Sequence, residues 1–179
     1  MKITAGKIPG LLIFEPEVYR DSRGHFMELW QKETYPLPPL VQDNLSVSTR
    51  GVLRGLHLQH PHGQGKLVTV LEGEVFDVAV DVRKGSPHFG AYECLILSSE
   101  NYRQFYMPPG FAHGFYVLSE RATFLYKVTA YYSKPSELTV KWNDPDIGIP
   151  WPTGEVVLSE KDKVGTPLHA IRPELLPSF

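Results

Sequence analysis

The sequence has only one cysteine, Cys94, and contains no run of about 18 apolar residues. A single cysteine cannot form an intrachain disulfide, which argues against a small secreted fold held together by disulfides. The missing apolar run argues against a transmembrane helix, and the amino terminus lacks the apolar segment of a signal peptide. We therefore predict a cytoplasmic protein without membrane partners.

The sequence also lacks a strong excess of charge of either sign. Its 18 Lys and Arg residues are balanced by 20 Asp and Glu residues, for a formal net charge of -2. Because proteins that bind nucleic acid generally neutralise phosphates with excess positive charge, this balance argues against a nucleic-acid partner. The length of 179 residues and the ordinary apolar content predict one domain spanning residues 1–179.

Long helical periodicity is missing as well, and the sequence instead offers short segments with strand character. Residues 74–82 are the clearest, since polar and apolar positions alternate there and place Asp77 and Asp81 on one face of a strand. Further strands are predicted at 10–14, 41–48, 66–71, 92–97, 103–107, 113–117 and 123–130. Short strands at such close spacing predict an all-β sandwich or barrel.

Prolines and glycines predict how these strands are joined. Pro16 ends the apolar run at 10–14, and we expect an edge strand there because proline cannot donate to a ladder. The turn at Gly73 predicts a hairpin between its flanking strands. After Tyr132 prolines become frequent, which predicts an irregular tail that wraps around the domain. Within it, Ser159 and the acidic residues that follow predict one short helix.

Residues 50–66 have the highest density of reactive side chains, with histidines, arginines and a lysine between apolar strand residues. Histidine can act as a base when a carboxylate fixes its tautomer, and lysine can stabilise an oxyanion. The candidates for acid–base chemistry are His57, Lys66, Asp77, Asp81, Tyr126 and Asp162. Taken singly, such residues are more often structural, because strand tyrosines usually pack and strand-end lysines are usually solvated.

Metal binding is a separate hypothesis, since the sequence offers the histidines His57, His60, His62 and His113. The spacing from Gly51 to His57, and that from Pro108 to His113, resembles the two ligand motifs of the cupin superfamily. However, Gln59 replaces the second histidine of the first motif, and Val117 replaces the asparagine of the second. The ligand set is therefore incomplete, and we predict no metal. His60 and His62 fit an exposed Pro/Gly turn better than a ligand role.

Motifs in a fixed order extend over most of the chain. They are Asp21-x-Arg23-Gly-x-Phe-x-Glu28, Gln42-Asp-Asn44, Arg50-Gly-Val-Leu-Arg-Gly-Leu-His57, Gly65-Lys-Leu-Val, Gly73-Glu-Val-Phe-Asp-Val-Ala-Val-Asp-Val-Arg83, Phe111-Ala-His-Gly-Phe115, Tyr126-Lys, Tyr131-Tyr132, Trp142-Asn-Asp144 and Leu158-Ser-Glu-Lys-Asp162. Together they resemble the dTDP-4-dehydrorhamnose 3,5-epimerase family between Ile8 and Asp162. Any one fragment is weak evidence, whereas the whole set in this order is specific. Residues 163–179 carry no such motif.

The resemblance implies a cupin-type jelly-roll β-barrel that acts as a homodimer and needs neither metal nor cofactor. It also implies a substrate, dTDP-4-keto-6-deoxy-D-glucose, whose ketone acidifies the hydrogens on C3 and C5. Inversion of both centres would give dTDP-4-keto-L-rhamnose, a step of dTDP-L-rhamnose biosynthesis. Relatives with the same motifs invert a single centre, so a single-centre epimerase is the alternative. A metal-dependent cupin and a non-catalytic sugar-nucleotide-binding module are further alternatives.

The resemblance also implies roles for individual residues. His57 would be the base, assisted by Asp162, and Lys66 would steady the enolate. Tyr126 would be the acid, and Tyr132 would stack on thymine. Contacts with the nucleotide sugar are implied for Arg23, Glu28, Gln42, Asp43, Asn44, Arg54, His113, Glu137 and Lys161.

Two questions stay open at this stage. Strict alternation would place Arg54 and His57 on opposite faces of a strand, although the family uses both in one site. A bulge at Gly55 would resolve this, and so would a pocket to which the other subunit presents Arg54. Asp77 also competes with Asp162 as the partner of His57, because a neighbouring barrel strand could present it inward.

Overall fold

The structure, a computed structural model, describes residues 1–179, which form thirteen β-strands and one short α-helix. The strands are β1 (Lys2–Ala5), β2 (Leu12–Glu15), β3 (Val18–Asp21), β4 (Gly24–Met27), β5 (Gln42–Thr49), β6 (Leu53–Gln59), β7 (Lys66–Glu72), β8 (Glu74–Asp81), β9 (Tyr92–Ser98), β10 (Gln104–Met107), β11 (Phe111–Val117), β12 (Arg121–Val128) and β13 (Glu137–Thr139). Helix α1 spans Glu160–Lys163, and 3₁₀ turns lie at Lys134–Ser136, Leu168–Ala170 and Pro173–Leu175. None of these helices has the length and apolar character needed to cross a lipid bilayer.

Two antiparallel sheets face each other and form the body of the molecule. One has six strands in the order β1-β2-β10-β7-β12-β5, and the other has five in the order β13-β6-β11-β8-β9. A separate two-stranded ribbon pairs β3 with β4. Because neighbouring strands in each sheet are mostly distant in sequence, the chain crosses repeatedly between the sheets, as in a jelly roll. This confirms the predicted all-β, cupin-type fold.

The main core lies between the two sheets. Alternation along β8 directs Val75 and Ala79 inward, and Phe105 enters from β10 of the opposite sheet. Phe115 and Phe124 stack across the interior with ring centroids 4.2 Å apart. Each of these aromatic side chains contributes roughly 1.5–3 kcal/mol by its burial. This packing fixes the separation of the sheets and therefore the width of the space between them.

The C-terminal tail covers the outer face of the five-stranded sheet. Leu168, Ile171 and Leu176 pack there against Val78 and Val80, which are the residues of β8 that point away from the main core. Because β8 is apolar on both faces, its outer face needs a cover, and the tail provides it. The tail thus wraps around the sheet as the sequence predicted, and helix α1 begins after Ser159 as expected.

The outer face of the six-stranded sheet is only partly covered. The irregular segment 29–40 places Tyr35 on Phe14, with ring centroids 4.8 Å apart, and both side chains are buried. Toward β5 the same face is bare, since Leu45 and Val47 are 61% and 45% exposed. The two sheets therefore differ in how much of their outer surface this chain protects.

One predicted edge strand is wrong. The apolar run that forms β2 lies inside the six-stranded sheet, paired with β1 on one side and with β10 on the other. The edge belongs to β1, an exposed segment for which the sequence pattern predicted no strand. Local pattern identified β2 as a strand but carried no information about its neighbours.

The predicted hairpin at Gly73 is also wrong. Strands β7 and β8 lie in different sheets, so the turn carries the chain across the sandwich and does not pair its two flanks. Gly73 has φ +80°, and a Cβ at this position would lie 2.1 Å from the carbonyl oxygen of Arg121. Glycine is therefore required by this close approach as well as by the turn.

Candidate active site

An open cleft of about 830 Å³, including its mouth, enters the space between the two sheets. It is lined by Ser46, Arg54, His57, Leu58, Gln59, Gln64, Lys66, His113, Phe115, Phe124, Tyr126, Tyr132, Glu137 and Lys161. The five-stranded sheet supplies one wall through β6 and β11, and the six-stranded sheet supplies the opposite wall through β7 and β12. The sandwich therefore brings side chains from both sheets to one concave site.

A bulge in β6 lets Arg54 and His57 share the cleft. His57 lies opposite His113 on β11, whereas Arg54 lies opposite Phe115, so three steps along β6 match two along β11. Gly55 has φ +137°, and a Cβ there would lie 2.5 Å from the Cα of Gly114. The bulge suggested at Gly55 is thus present, and Arg54 reaches the cleft of its own chain.

His57 is held by the carboxylate of Asp162. The distance from His57 Nε2 to Asp162 Oδ1 is 2.5 Å, and the carboxylate is buried. Ser159 caps helix α1 and also donates its hydroxyl to Asp162 Oδ2 at 2.7 Å. With Nε2 directed at the carboxylate, Nδ1 is the ring nitrogen left to take a proton. The partner of His57 is therefore Asp162.

Asp77 pairs with a different histidine. Its Oδ2 lies 2.9 Å from Nε2 of His113, and both side chains are buried. Because His57 and His113 are directly opposite each other in the β6–β11 pairing, the two rings are neighbours on the same wall. The site thus contains two histidine–aspartate pairs side by side.

Lys66 is buried at the floor of the cleft. Its Nζ donates to the backbone carbonyl of His57 at 3.1 Å, which fixes the position of the ammonium group. Burial lowers the pKa of Lys66 to about 8, while the negative charges of Asp77 and Glu137 oppose that change. At neutral pH the side chain is therefore mostly protonated.

The remaining acid–base groups are in complementary states. Burial lowers the pKa of His57, although the hydrogen bond to Asp162 opposes this, so the imidazole is unprotonated at neutral pH. Burial raises the pKa of Tyr126, so its phenol keeps its proton. A proton acceptor and a proton donor thus face the same cleft from different sheets.

Three side chains are joined to one another by hydrogen bonds at the mouth of the cleft. Lys161 Nζ donates to Glu137 Oε1 at 2.7 Å, and the hydroxyl of Tyr132 donates to Glu137 Oε2 at 3.3 Å. Burial disfavours ionisation of Glu137, but the hydrogen bonds from Lys161 and Tyr132 and the nearby positive charges together outweigh this and lower the pKa. The ring of Tyr132 is about half exposed, which leaves its face free to stack on a planar ligand.

The structure brings most, but not all, of the predicted contact residues to this cleft. Gln42 and Asn44 share the inward face of β5 and lie at the rim, where Gln42 Oε1 accepts from the backbone of Tyr132 at 3.2 Å. Asp43 points to the opposite face and pairs with Lys127 at 2.8 Å. Its predicted contact does not fit this structure, because alternation along β5 turns it away.

Arg23 and Glu28 are also absent from the cleft of their own chain. Both side chains are exposed, in or just after the β3–β4 ribbon, and Arg23 pairs with the neighbouring Asp21 at 2.6 Å. Neither belongs to the lining of the cleft. The ribbon projects as a small separate sheet, so one chain alone does not deliver these residues to the site.

Several lining residues had not been predicted. Phe115 lies two residues from His113, and Phe124 lies two residues from Tyr126, so strand alternation alone would have identified them. Gln59 was considered above only because it replaces a histidine of the cupin metal-binding motif. Its side-chain oxygen accepts a hydrogen bond from the backbone N–H of Ser133 at 2.8 Å. This bond holds the segment that places Tyr132 at the mouth of the cleft. The structure contains no cluster of three or more His, Cys, Asp or Glu side chains that could hold a metal ion.

Comparison with known proteins agrees with this geometry. A family model described as dTDP-4-dehydrorhamnose 3,5-epimerase matches residues 5–170. The enzymes of that name from Shigella flexneri and Pseudomonas aeruginosa are each 51% identical to this chain. The first alignment covers 90% of this chain and 93% of the relative, and the second covers 92% and 94%.

Solved structures agree as well. The dTDP-6-deoxy-D-glucose-3,5-epimerase of Legionella pneumophila, in complex with dTDP-4-keto-L-rhamnose, superposes with a TM-score of 0.97 at 52% identity, covering 99% of this chain and 98% of that chain. More distantly, a dTDP-4-dehydrorhamnose 3-epimerase from Streptomyces niveus is 38% identical and covers all of this chain and 90% of the relative. Motifs, fold and site thus agree, and the chain belongs to the dTDP-4-dehydrorhamnose 3,5-epimerase family.

Proposed function

We propose that this protein is an isomerase that inverts C3 and C5 of dTDP-4-keto-6-deoxy-D-glucose to give dTDP-4-keto-L-rhamnose. The observation that carries the proposal is the convergence of the His57–Asp162 pair, Lys66 and Tyr126 in one cleft. The chain that forms this cleft is about half identical to enzymes named for this activity. The product serves dTDP-L-rhamnose biosynthesis.

His57 removes the proton in this mechanism. The C4 ketone acidifies the hydrogens on the adjacent C3 and C5, and the unprotonated Nδ1 of His57 takes one of them. The buried carboxylate of Asp162 orients the ring and stabilises the positive charge that the imidazole gains. The electron pair left on carbon moves to the C4 oxygen as an enolate.

Lys66 stabilises that enolate. Its ammonium group is already fixed by the bond to the His57 carbonyl, so little reorganisation accompanies the reaction. Because the group is buried, its attraction to a developing oxyanion is stronger than it would be in water. This supplies the charge stabilisation that a metal ion provides in other enolate-forming enzymes.

Tyr126 returns a proton to the other face of the sugar. His57 belongs to the five-stranded sheet and Tyr126 to the six-stranded sheet, so the base and the acid occupy opposite walls of the cleft. A sugar ring held between these walls loses a proton to one side and receives one from the other. Inversion of configuration follows directly from this opposition.

The nucleotide part of the substrate binds toward the mouth. We assign stacking on thymine to Tyr132, and polar contacts to Arg54, His113, Glu137 and Lys161, which all line the cleft. Gln42 and Asn44 extend the binding surface along the rim of β5. Asp43 is left out of the proposed site because Lys127 holds it on the other face.

A homodimer accounts for Arg23 and Glu28. The apolar run that was expected to form an edge strand gives no reason for a dimer, because β2 is paired on both sides. A better reason is that the projecting ribbon exposes Phe26 and β5 exposes Leu45 in the same chain. A second copy that covers these surfaces would bring its own Arg23 and Glu28 to the cleft.

Mixing two defective variants tests this arrangement. Arg23→Ala and His57→Asn homodimers should each be impaired, whereas a mixed dimer should recover activity at the one site that combines an intact His57 with an intact Arg23. Absence of recovery in a verified heterodimer would place Arg23 in the site of its own chain. Sedimentation of a fully active monomer would contradict the dimer itself.

Isotope counting in heavy water tests the reaction. Incubation with the 4-keto sugar nucleotide and a downstream reductase should give a rhamnose product with deuterium at both C3 and C5. Deuterium and inversion at C3 alone would instead identify a single-centre epimerase, as in the relative from Streptomyces niveus. Tight binding without any exchange would identify a binding module. The variant Asp81→Asn, altered outside the cleft, is the matched control.

We also propose a cytoplasmic location. Cys94 is the one cysteine of the sequence, and burial raises the pKa of its thiol, which disfavours the reactive thiolate. A chain without disulfides suits a reducing compartment. Cell fractionation with an antibody to the protein would test this assignment.

A further inference from the structure

The second histidine–aspartate pair contains a carboxylate in an unusual environment. Asp77 is fully buried, and its neighbours on the same face of β8, Val75 and Ala79, belong to the core between the sheets. One carboxylate oxygen contacts His113, while the other, Oδ1, has no hydrogen-bond partner. A buried carboxylate in such surroundings is costly unless a positive charge compensates it.

Lys66 is the buried cation that faces the same interior. It lies on β7 of the opposite sheet, and Val68 and Val70 on the same face of that strand belong to the same core as the neighbours of Asp77. The two charges are joined by a short path of contacts. Asp77 contacts His113, His113 lies opposite His57 in the β6–β11 pairing, and the His57 carbonyl accepts from Lys66.

The other charged groups around Lys66 already have partners. The titratable and charged groups that line or border this part of the cleft are Arg54 and His57 on β6, Asp77 on β8, His113 on β11, Tyr126 on β12, Tyr132, Glu137 on β13, and Lys161 and Asp162 on α1. Of the three carboxylates, Asp162 is bound to His57 and Glu137 is paired with Lys161. Of the three, only Asp77 has a carboxylate oxygen without a hydrogen-bond partner.

We propose that Asp77 is a positioning residue that keeps the Lys66 ammonium charged and fixed for enolate stabilisation, acting from beneath the cleft without touching the substrate. This rests on the proposed function, because it assumes that Lys66 faces the developing oxyanion. His113 takes its orientation from the same carboxylate through its bond to Asp77. The His113–Asp77 pair thus supports the ammonium group of Lys66, whereas the His57–Asp162 pair supports the base.

The direction of the pH effect follows from the charges. Burial lowers the pKa of Lys66 to about 8, and Asp77 is the strongest of the influences that oppose this. Removal of the Asp77 charge must therefore lower the pKa of Lys66 further. Lys66 then loses its proton, and the site loses its cation, at a lower pH than in the natural protein.

The variant Asp77→Asn tests the proposal, because asparagine keeps the shape and an acceptor for His113 but removes the charge. In protein labelled with ¹³C at the lysine side chains, the resonance of Lys66 should show a pKa lower by about one. In the pH profile of kcat/KM, the apparent pKa of the alkaline limb should fall by the same amount. Asp77→Glu should restore both values. Asp81→Asn, which alters an equally buried carboxylate on the same face of β8, should change neither because Asp81 is paired with Arg83.

A folded Asp77→Asn variant with an unchanged pKa of Lys66 would overturn the proposal. If Asp77→Asn does not fold, the natural protein gives the answer: the ¹³C resonance of the Asp77 carboxyl group must move as Lys66 titrates, and an unchanged resonance contradicts the coupling. Because these titrations need no turnover, they are independent of the epimerase assay. Coupled titration in a protein that does not epimerise would therefore uphold the pairing and reject the function.

Discussion

The two walls of the cleft are built on different chemical principles. On the wall from the five-stranded sheet, both histidines are backed by buried carboxylates. On the opposite wall, Lys66 and Tyr126 have no carboxylate bonded to them, and burial is the largest influence on the pKa of each. A base needs a partner that stabilises the charge it gains, whereas a phenol that must keep its proton needs only a dry environment. The fold therefore separates base from acid by assigning each to one sheet.

Removing the base should produce the largest effect. His57→Asn should lower kcat by about 10²–10⁴-fold and abolish solvent exchange at C3 and C5, because no other unpaired base faces the sugar. Proton NMR of the recovered sugar nucleotide in heavy water measures both. His113→Asn is the matched variant on the same wall, and we expect it to retain exchange. Persistent exchange in His57→Asn would mean that another group removes the proton.

Removing the acid should distinguish the role of one wall from that of the other. Tyr126→Phe should lower epimerisation by about 10²-fold or more but preserve exchange, with retained configuration, since reprotonation can then come only from the His57 side. Mass spectrometry and NMR of the recovered substrate report this directly. The exposed Tyr131, changed to Phe, is the control. If Tyr126→Phe epimerises at the natural rate, the acid lies elsewhere and the role of Tyr126 is withdrawn.

The mouth, which belongs to neither wall, should respond more weakly. Tyr132→Ala should weaken binding of dTDP by roughly 1–3 kcal/mol, because it removes a stacking surface for thymine. Tyr132→Phe should be mild, since only the hydroxyl that donates to Glu137 is lost. Calorimetric titration distinguishes the two variants. Equal losses would show that the hydroxyl, and not the ring, makes the important contact.

A smaller effect is expected when the residues that support the base are weakened. Ser159→Ala removes the cap of α1 and one hydrogen bond to Asp162, and such caps stabilise helices by about 0.5–2 kcal/mol. We expect a several-fold loss of kcat with little change in KM, because Asp162 is held less firmly behind His57. Steady-state kinetics measure this, with the exposed Thr153 changed to Ala as the control. An unchanged kcat would mean that the barrel alone positions Asp162.

Chelation should have no effect at all. Lys66 stabilises the enolate in the proposed mechanism, and no cluster of metal-binding side chains lies at the cleft. Activity after exhaustive dialysis against a chelator should therefore equal that of the untreated protein. Loss of activity that is restored only by an added divalent ion would contradict the division of roles between the walls.

The sequence predicted what depends on local pattern or on motifs. Most strands and the helix after Ser159 lie where expected, because alternation and capping are properties of a few neighbouring residues. The same alternation separates Asp43 from Gln42 and Asn44 and turns it toward Lys127. The bulge at Gly55 was suggested because strict alternation conflicted with the motif, which needs Arg54 and His57 in one site. Its existence, however, depends on the register in which β6 pairs with β11.

What the sequence did not predict depends on contacts between distant segments. The pairing of β2 with β1 and β10, and the crossing at Gly73, require knowledge of which strands are neighbours. Likewise, His57 is separated from its carboxylate by 105 positions. Both Asp77 and Asp162 satisfied the chemical requirement, and only the folded arrangement shows that each serves a different histidine.

The position of Asp162 in the C-terminal tail has a consequence for biosynthesis. Strands β1 to β12 end at Val128 and are therefore synthesised before Lys161 and Asp162. A nascent chain can therefore assemble most of its sheets while His57 still lacks its carboxylate and the outer face of β8 is uncovered. A chain that stops before residue 161 lacks both Lys161 and Asp162 and the tail residues that cover β8, so it cannot form the His57–Asp162 pair.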